Sequence, residues 1–253
     1  MSGTDSAGTP WEGRHFDHNS FSGDDGSAPE RLIESIRRFR SREVGEVEVV
    51  DAFRDSRLLI PLVARLGETD IGEHGHTLDK SAELSIVTVA GPDGRNVMPV
   101  FSSVEAMQHW NAKARPVPAD AVRVALAAAS EDTELVVLDA TSATEFVIRR
   151  PALWAIAQSQ GWMPSYLDDG VLREFMVAAR PEPAVAGVVL DAGDPDARLA
   201  GPELVVRLAL VPGLAKGDLD ALLARLQERW ATSALIATRV DSMRVQLTAA
   251  PSA

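Results

Sequence analysis

The sequence contains no cysteine and only three lysines, Lys80, Lys113 and Lys216. The first absence excludes disulfides, thiolate metal sites and cysteine nucleophiles at once, and it fits a reducing compartment. No apolar run approaches the about 20 residues that cross a bilayer. Met1–Asp5 show neither the basic stretch nor the apolar one of a secretory signal. A cytoplasmic location is the expectation. Cations are also in the minority, with 25 Lys and Arg against 37 Asp and Glu and a formal net charge of −12. Such a field repels phosphate backbones and anionic bilayers, so neither nucleic acid nor a membrane is expected as a partner.

Catalytic signatures are missing as well. There is no phosphate loop, no nucleophile elbow, no dinucleotide-binding glycine fingerprint and no zinc-protease helix motif. Those sites depend on local backbone geometry that fixed spacings encode, whereas a site assembled from distant residues leaves no such mark. One loop, Glu68–His76, carries ligand chemistry: His74 and His76 flank Gly75, with Asp70, Glu73 and Asp79 nearby. Imidazoles and carboxylates together can hold Zn2+ or Mn2+. The spacing fixes no third ligand, so a solvated loop is the reading adopted, and His74, His76 and Asp70 are kept as metal candidates. No catalytic or cofactor-binding residue is assigned, and no cofactor is expected. His109, beside Trp110, reads as a partly buried structural histidine.

What is present is a chain of 253 residues, 45% of them hydrophobic, enough for one large domain or two modest ones. Residues 1–28 are rich in Gly, Ser, Asp and His without hydrophobic period, which predicts a disordered tail bearing the isolated aromatics Trp11, Phe16 and Phe21. From Pro29 to Arg42, Leu32, Ile33, Ile36 and Phe39 mark an amphipathic helix whose arginines read as a solvated face. A second helical stretch follows Gly45. Arg57–Ala64 reads as a buried strand in which Pro61 argues for an edge or a bulge.

Glu83–Ala90 and Arg95–Phe101 around the turn Gly91–Gly94 predict a hairpin. Ser102 and Glu105 have the spacing of a capping box at the head of a helix carrying Val104, Met107 and Trp110. Arg115–Pro118 must be extended. Helix, strand, strand and helix follow to about Gly161, and a further helix starts near Asp169, its apolar face carried by Leu172, Phe175, Met176 and Ala179.

Arg180–Pro183, short and stiffened by proline, is the expected domain boundary. Beyond it Val188–Leu190, Leu204–Val211, a helix bearing Leu219, Leu222, Leu226 and Trp230, and Met243–Thr248 spell a β-β-α-β lobe.

Several segments, none specific alone, combine in order and spacing. Phe21–Ser27 before a helix, Arg57–Val63, Gly91–Arg95 leading into Met98–Ser103 with Trp110, and Arg115–Pro118 together resemble the SseB family in its actinobacterial form, over roughly residues 21 to 150. That family is named for enhanced serine sensitivity, a phenotype rather than a reaction. The resemblance implies an α/β (α+β) fold and brings no catalytic residue or cofactor to carry over. The division expected is a tail over 1–28, an SseB-type domain with a mixed sheet and flanking helices over 29–180, and the smaller C-terminal lobe over 184–250.

The function expected is that of a non-catalytic binding or regulatory protein with a protein partner. Trp110 and Arg115 are its candidate interaction residues. An enzyme of small molecules linked to amino-acid metabolism, using the His74/His76 loop and Arg115, and a structural homo-oligomer pairing through strand edges are the alternatives.

Overall fold

The computed structural model describes residues 23–65 and 83–250. Trp11, Phe16 and Phe21 of the expected tail, and the loop with Asp70, His74 and His76, lie outside the described residues. Gly23–Ala28 also fell within the expected tail, yet they contact the folded domain. Asp24 pairs with Arg57 at 2.8 Å, Ser27 O accepts from Arg57, and Gly26 O accepts from the N–H of Val104 at 2.9 Å. Gly26 has φ +76°, and a Cβ there would stand 2.6 Å from the Val104 Cγ2, so only glycine suits this contact.

The chain begins with α1 (Glu30–Arg40) and α2 (Glu46–Arg54), whose periodic residues Leu32, Ile36, Phe39, Val50 and Phe53 are buried. Then come β1 (Arg57–Arg65), β2 (Glu83–Ile86), β3 (Val89–Ala90), β4 (Asn96–Val100), α3 (Val104–Trp110) and β5 (Arg115–Asp120). They are followed by α4 (Ala121–Ser130), β6 (Val136–Leu138), β7 (Phe146–Ile148) and α5 (Arg150–Ala157). One sheet has the order β2-β1-β5 and a second β3-β4-β6-β7, joined by the bridge between Leu59 and Phe101. The expected hairpin strand Glu83–Ala90 is split at Val87–Thr88: its first half pairs with β1 and its second with β4.

Pro61 does not lie on an edge, because β1 is the middle strand of its sheet. Leu59 exchanges both backbone hydrogen bonds with Phe101, away from β5, and strand alternation turns the nitrogen of Pro61 the same way. On that side the β2 ladder starts only at Leu62, so no ladder bond is lost. The same alternation points the nitrogens of Pro116 and Pro118, which face Pro61 and Leu59, to the side of β5 away from β1, where no strand pairs among the described residues.

The α3 cap also differs from the spacing argument. Ser103, not Ser102, is the N-cap, its hydroxyl accepting from Ala106 N at 3.1 Å. Ser102 is buried, its N–H and hydroxyl both donating to Asp139 at 2.7 Å. His109 is exposed rather than buried.

A second core starts before the expected boundary. α6 (Asp169–Ala179), reached through a short 3-10 turn at Ser165–Leu167, buries Val171 and Phe175 against β8 (Val185–Ala192), β9 (Leu204–Leu210), α7 (Lys216–Ala231), α8 (Ala234–Arg239) and β10 (Met243–Ala249). The sheet order is β10-β9-β8, with β9 and β10 parallel across the α7–α8 crossover and β8 antiparallel. Within Arg180–Pro183, Glu182 is clamped by Arg225 and Arg229 of α7 at 2.6 and 2.9 Å. Those two guanidiniums hold its carboxyl down at about 2. The fold is thus mixed α/β, with one sheet system under α1, α2, α4 and α5 and a smaller three-stranded sheet under α6 and α7.

Candidate functional site

Among the described residues a buried cluster of charges lies where these two cores meet, and local structure sets each contributor. Arg149 follows the last residue of β7 and is the N-cap of α5, whose early Pro151 favours helix from that point. Arg95 leaves the turn Gly91–Gly94, which is closed by Gly91 N to Arg95 O at 2.7 Å and turns through Gly94 at φ +82°. Asp93 of that turn accepts from the Arg95 Nε at 2.7 Å and so aims the guanidinium.

From the second lobe comes the loop between β8 and β9. It crosses itself so closely that a Cβ on Gly193 would lie 2.2 Å from Pro202 O and one on Gly201 2.6 Å from Gly193 O. The loop sends Ala197 into the first core and gives Ala197 O to the N–H of Val147 at 2.9 Å. On its other side Arg40 and Arg42 of the first helical region hold the carbonyls of Asp196 and Pro195, so these arginines serve the chain's own loop rather than a solvated face.

Arg149 is 6% exposed and sits at the centre. One of its terminal nitrogens donates to Asp241 at 2.9 Å, the other to Asp194 at 2.7 Å and Gly201 O at 3.0 Å. Arg95 meets both oxygens of Asp241 at 3.0 Å. Glu203 accepts from the Ser165 hydroxyl at 2.7 Å and from Asp241 N at 2.6 Å. At the margin, Tyr166 donates its hydroxyl to Glu46 at 2.9 Å.

The carboxyls respond differently. Burial pushes Asp241 up, but the guanidiniums of Arg95 and Arg149 outweigh it and hold the group below its ordinary range. Burial raises Glu203, and its hydrogen bonds from Asp241 N and Ser165 do not cancel that rise. Burial likewise pushes Glu46 up to about 7, opposed by the Tyr166 hydrogen bond and reinforced by the charge of Glu203. Chemically the centre is a saturated ion cluster: each buried guanidinium and carboxylate already has protein partners, so it locks the two lobes together.

Of the sequence-level candidates, Trp110 and Arg115 fall elsewhere. Trp110 is half-buried, its ring 5.3 Å from that of Phe101, in a small cluster with Leu59 and Met107. Arg115 is exposed at the start of β5, opposite Leu62. Neither lines the cavities between α4 and α5, beside β8, or beside β10.

The family model for the SseB protein N-terminal domain matches residues 30–155, about half of the chain. The chain belongs to the SseB family. No curated protein and no solved structure matches it. The matched SseB domain closes within α5 and supplies Arg95 and Arg149, whereas Asp194, Glu203 and Asp241 lie beyond the match. Sequence reasoning missed this centre because its members are spread over five segments. The only local signal was the Gly- and Asp-rich composition of residues 191–201, which reads equally as an ordinary loop.

Proposed function

We propose that this SseB-family chain is a non-catalytic, cytoplasmic binding or regulatory protein whose partner is another protein. The observation that carries the reading is the saturation of the Arg149 cluster. The charges that converge most closely are spent on joining the lobes, leaving no free pair there to bind a substrate or shuttle a proton. The net charge of −12 supports a protein partner over nucleic acid or an anionic bilayer. Purification from the native host, with and without crosslinking, is the test. A reproducible stoichiometric partner is expected, and a co-purifying metabolite with no protein partner would overturn the reading.

One observation favours the enzyme alternative. Glu46, partly buried beside Tyr166, has its carboxyl pushed up to about 7, the range suited to proton transfer. Turnover of a co-purified metabolite that disappears in Glu46→Gln would transfer the assignment to that reading.

A further inference from the structure

The second lobe leaves an apolar groove open between α6 and the outer edge of β8. Among the described residues β8 pairs only with β9; its register slips between Val185 and Gly187, and beyond that, from Val188 to Ala192, it carries no lysine or proline and a single charge, Asp191, which is held by Arg207. Arg173, Met176 and Val177 of α6 and Arg180, its C-cap, follow one another at helical spacing and line the same groove as Gly187 and Val188 of β8. Met176, expected on the buried face of this helix, is instead 54% exposed because Val171, Phe175, Ala178 and Ala179 form that face, and Val177 is 61% exposed, a large apolar exposure for two adjacent residues.

The charges at the groove's ends identify what it fits. Elsewhere in this lobe Arg207 pairs with Asp191, and Arg225 and Arg229 with Glu182. Arg173 and Arg180 take part in no ion pair among the described residues, in a chain where carboxylates outnumber cations 37 to 25. A second copy is a poor occupant. Two-fold pairing of β8 edges would lay α6 antiparallel to its mate and bring Arg173 of each against Arg180 of the other.

We propose that this groove binds an extended protein segment whose apolar residues are flanked by carboxylates, added to β8 as a fourth strand. Main-chain hydrogen bonds along the edge supply affinity. Met176 and Val177 cover the segment's apolar side chains, and Arg173 and Arg180 set its ends by charge. The inference rests on the protein-binding reading and names the surface and the partner's chemistry.

The experiment uses the full chain and two labelled peptides of alternating valine and threonine, one flanked by aspartates and one by lysines. The aspartate-flanked peptide is expected to bind and to protect β8 amides from hydrogen exchange. With Arg173→Glu and Arg180→Glu together, its affinity should fall ~tenfold or more, while that of the lysine-flanked peptide rises. These side chains are on the surface, and an unchanged thermal midpoint confirms that the variant is folded. Equal binding of the two peptides, no binding of either, or indifference to the charge reversal would overturn the proposal. If a host partner is still captured in full by the charge-reversed protein, the binding reading survives and this groove is not the site. Dimerisation abolished by Met176→Glu would assign the groove to a second copy instead.

Discussion

Arginine does opposite work at the lobe junction and at the α6 groove. At the junction Arg149 is buried, and both of its terminal nitrogens are engaged by Asp194, Asp241 and a backbone carbonyl from the other lobe. At the groove Arg173 and Arg180 line the same surface as exposed Met176 and Val177 and take part in no ion pair among the described residues. The difference separates structure from recognition. A buried guanidinium whose partners come from the same chain is part of what makes the fold, while a solvated one beside open apolar surface still has its binding capacity to spend.

The sharpest way to break this comparison is to remove Arg149. In Arg149→Ala, Asp194 and Asp241 stay buried with the central cation gone, and the loss of stability is expected to be about 3 to 5 kcal/mol in a denaturant melt. A loss under about 1 kcal/mol would place the junction with ordinary surface ion pairs. Because Ala197 completes the first core and caps the edge of β7, a chain ended at Arg180 should likewise fail to give a cooperative melt.

A smaller effect is expected from Glu46, at the margin of the same junction and faced by Tyr166, Glu203, Arg149 and Asp194. Its folded carboxyl is raised to about 7 from 4.5, so the native state holds the proton more tightly than the unfolded chain. That contribution to stability is fully present below pH 4.5 and is lost as pH rises through 7. Glu46→Gln should therefore match the parent near pH 4 and exceed it by on the order of 1 to 2 kcal/mol at pH 8, after discounting for solvent access. Parallel stability profiles for the two proteins across this range would show that Glu46 is not coupled to the junction.

The smallest effect belongs to the groove. Arg173→Ala and Arg180→Ala should each leave stability within about 0.5 kcal/mol, since both side chains are exposed and neither takes part in an ion pair among the described residues. A larger loss in either variant would mean that the groove's arginines are structural after all, and the contrast with Arg149 would collapse.

Much of the fold was legible because it is periodic. The helical spacing of Leu32, Ile36 and Phe39 and the Leu222, Leu226 and Trp230 face each describe a buried stripe that a single element presents, whatever it packs against, whereas Met243–Thr248 forms the strand its alternation describes but leaves Met243 and Leu247 exposed and only Val245 packed on the core. Legibility failed where two local solutions were equivalent. Ser102 and Ser103 are both plausible caps by spacing, and only the buried carboxylate of Asp139 claims Ser102 and leaves the cap to Ser103. Pro61 read as an edge residue because proline forfeits a donor, but strand alternation turns that missing donor to a side where the ladder has not yet begun.

The sequence by itself determined most of the element types, α8 being one it did not mark, together with the acidic charge, the absence of thiol chemistry and, through the order and spacing of its segments, its SseB membership. Tertiary structure decided the rest, because it depends on which distant residues meet. Arg95, Arg149, Asp194, Glu203 and Asp241 carry no shared spacing, and they become a junction only when the loop after β8 folds back over β7. The groove follows the same logic in reverse. Met176 and Val177 are apolar residues on a helix whose other face is buried, and their exposure follows from which face, that of Val171, Phe175, Ala178 and Ala179, the second core takes up.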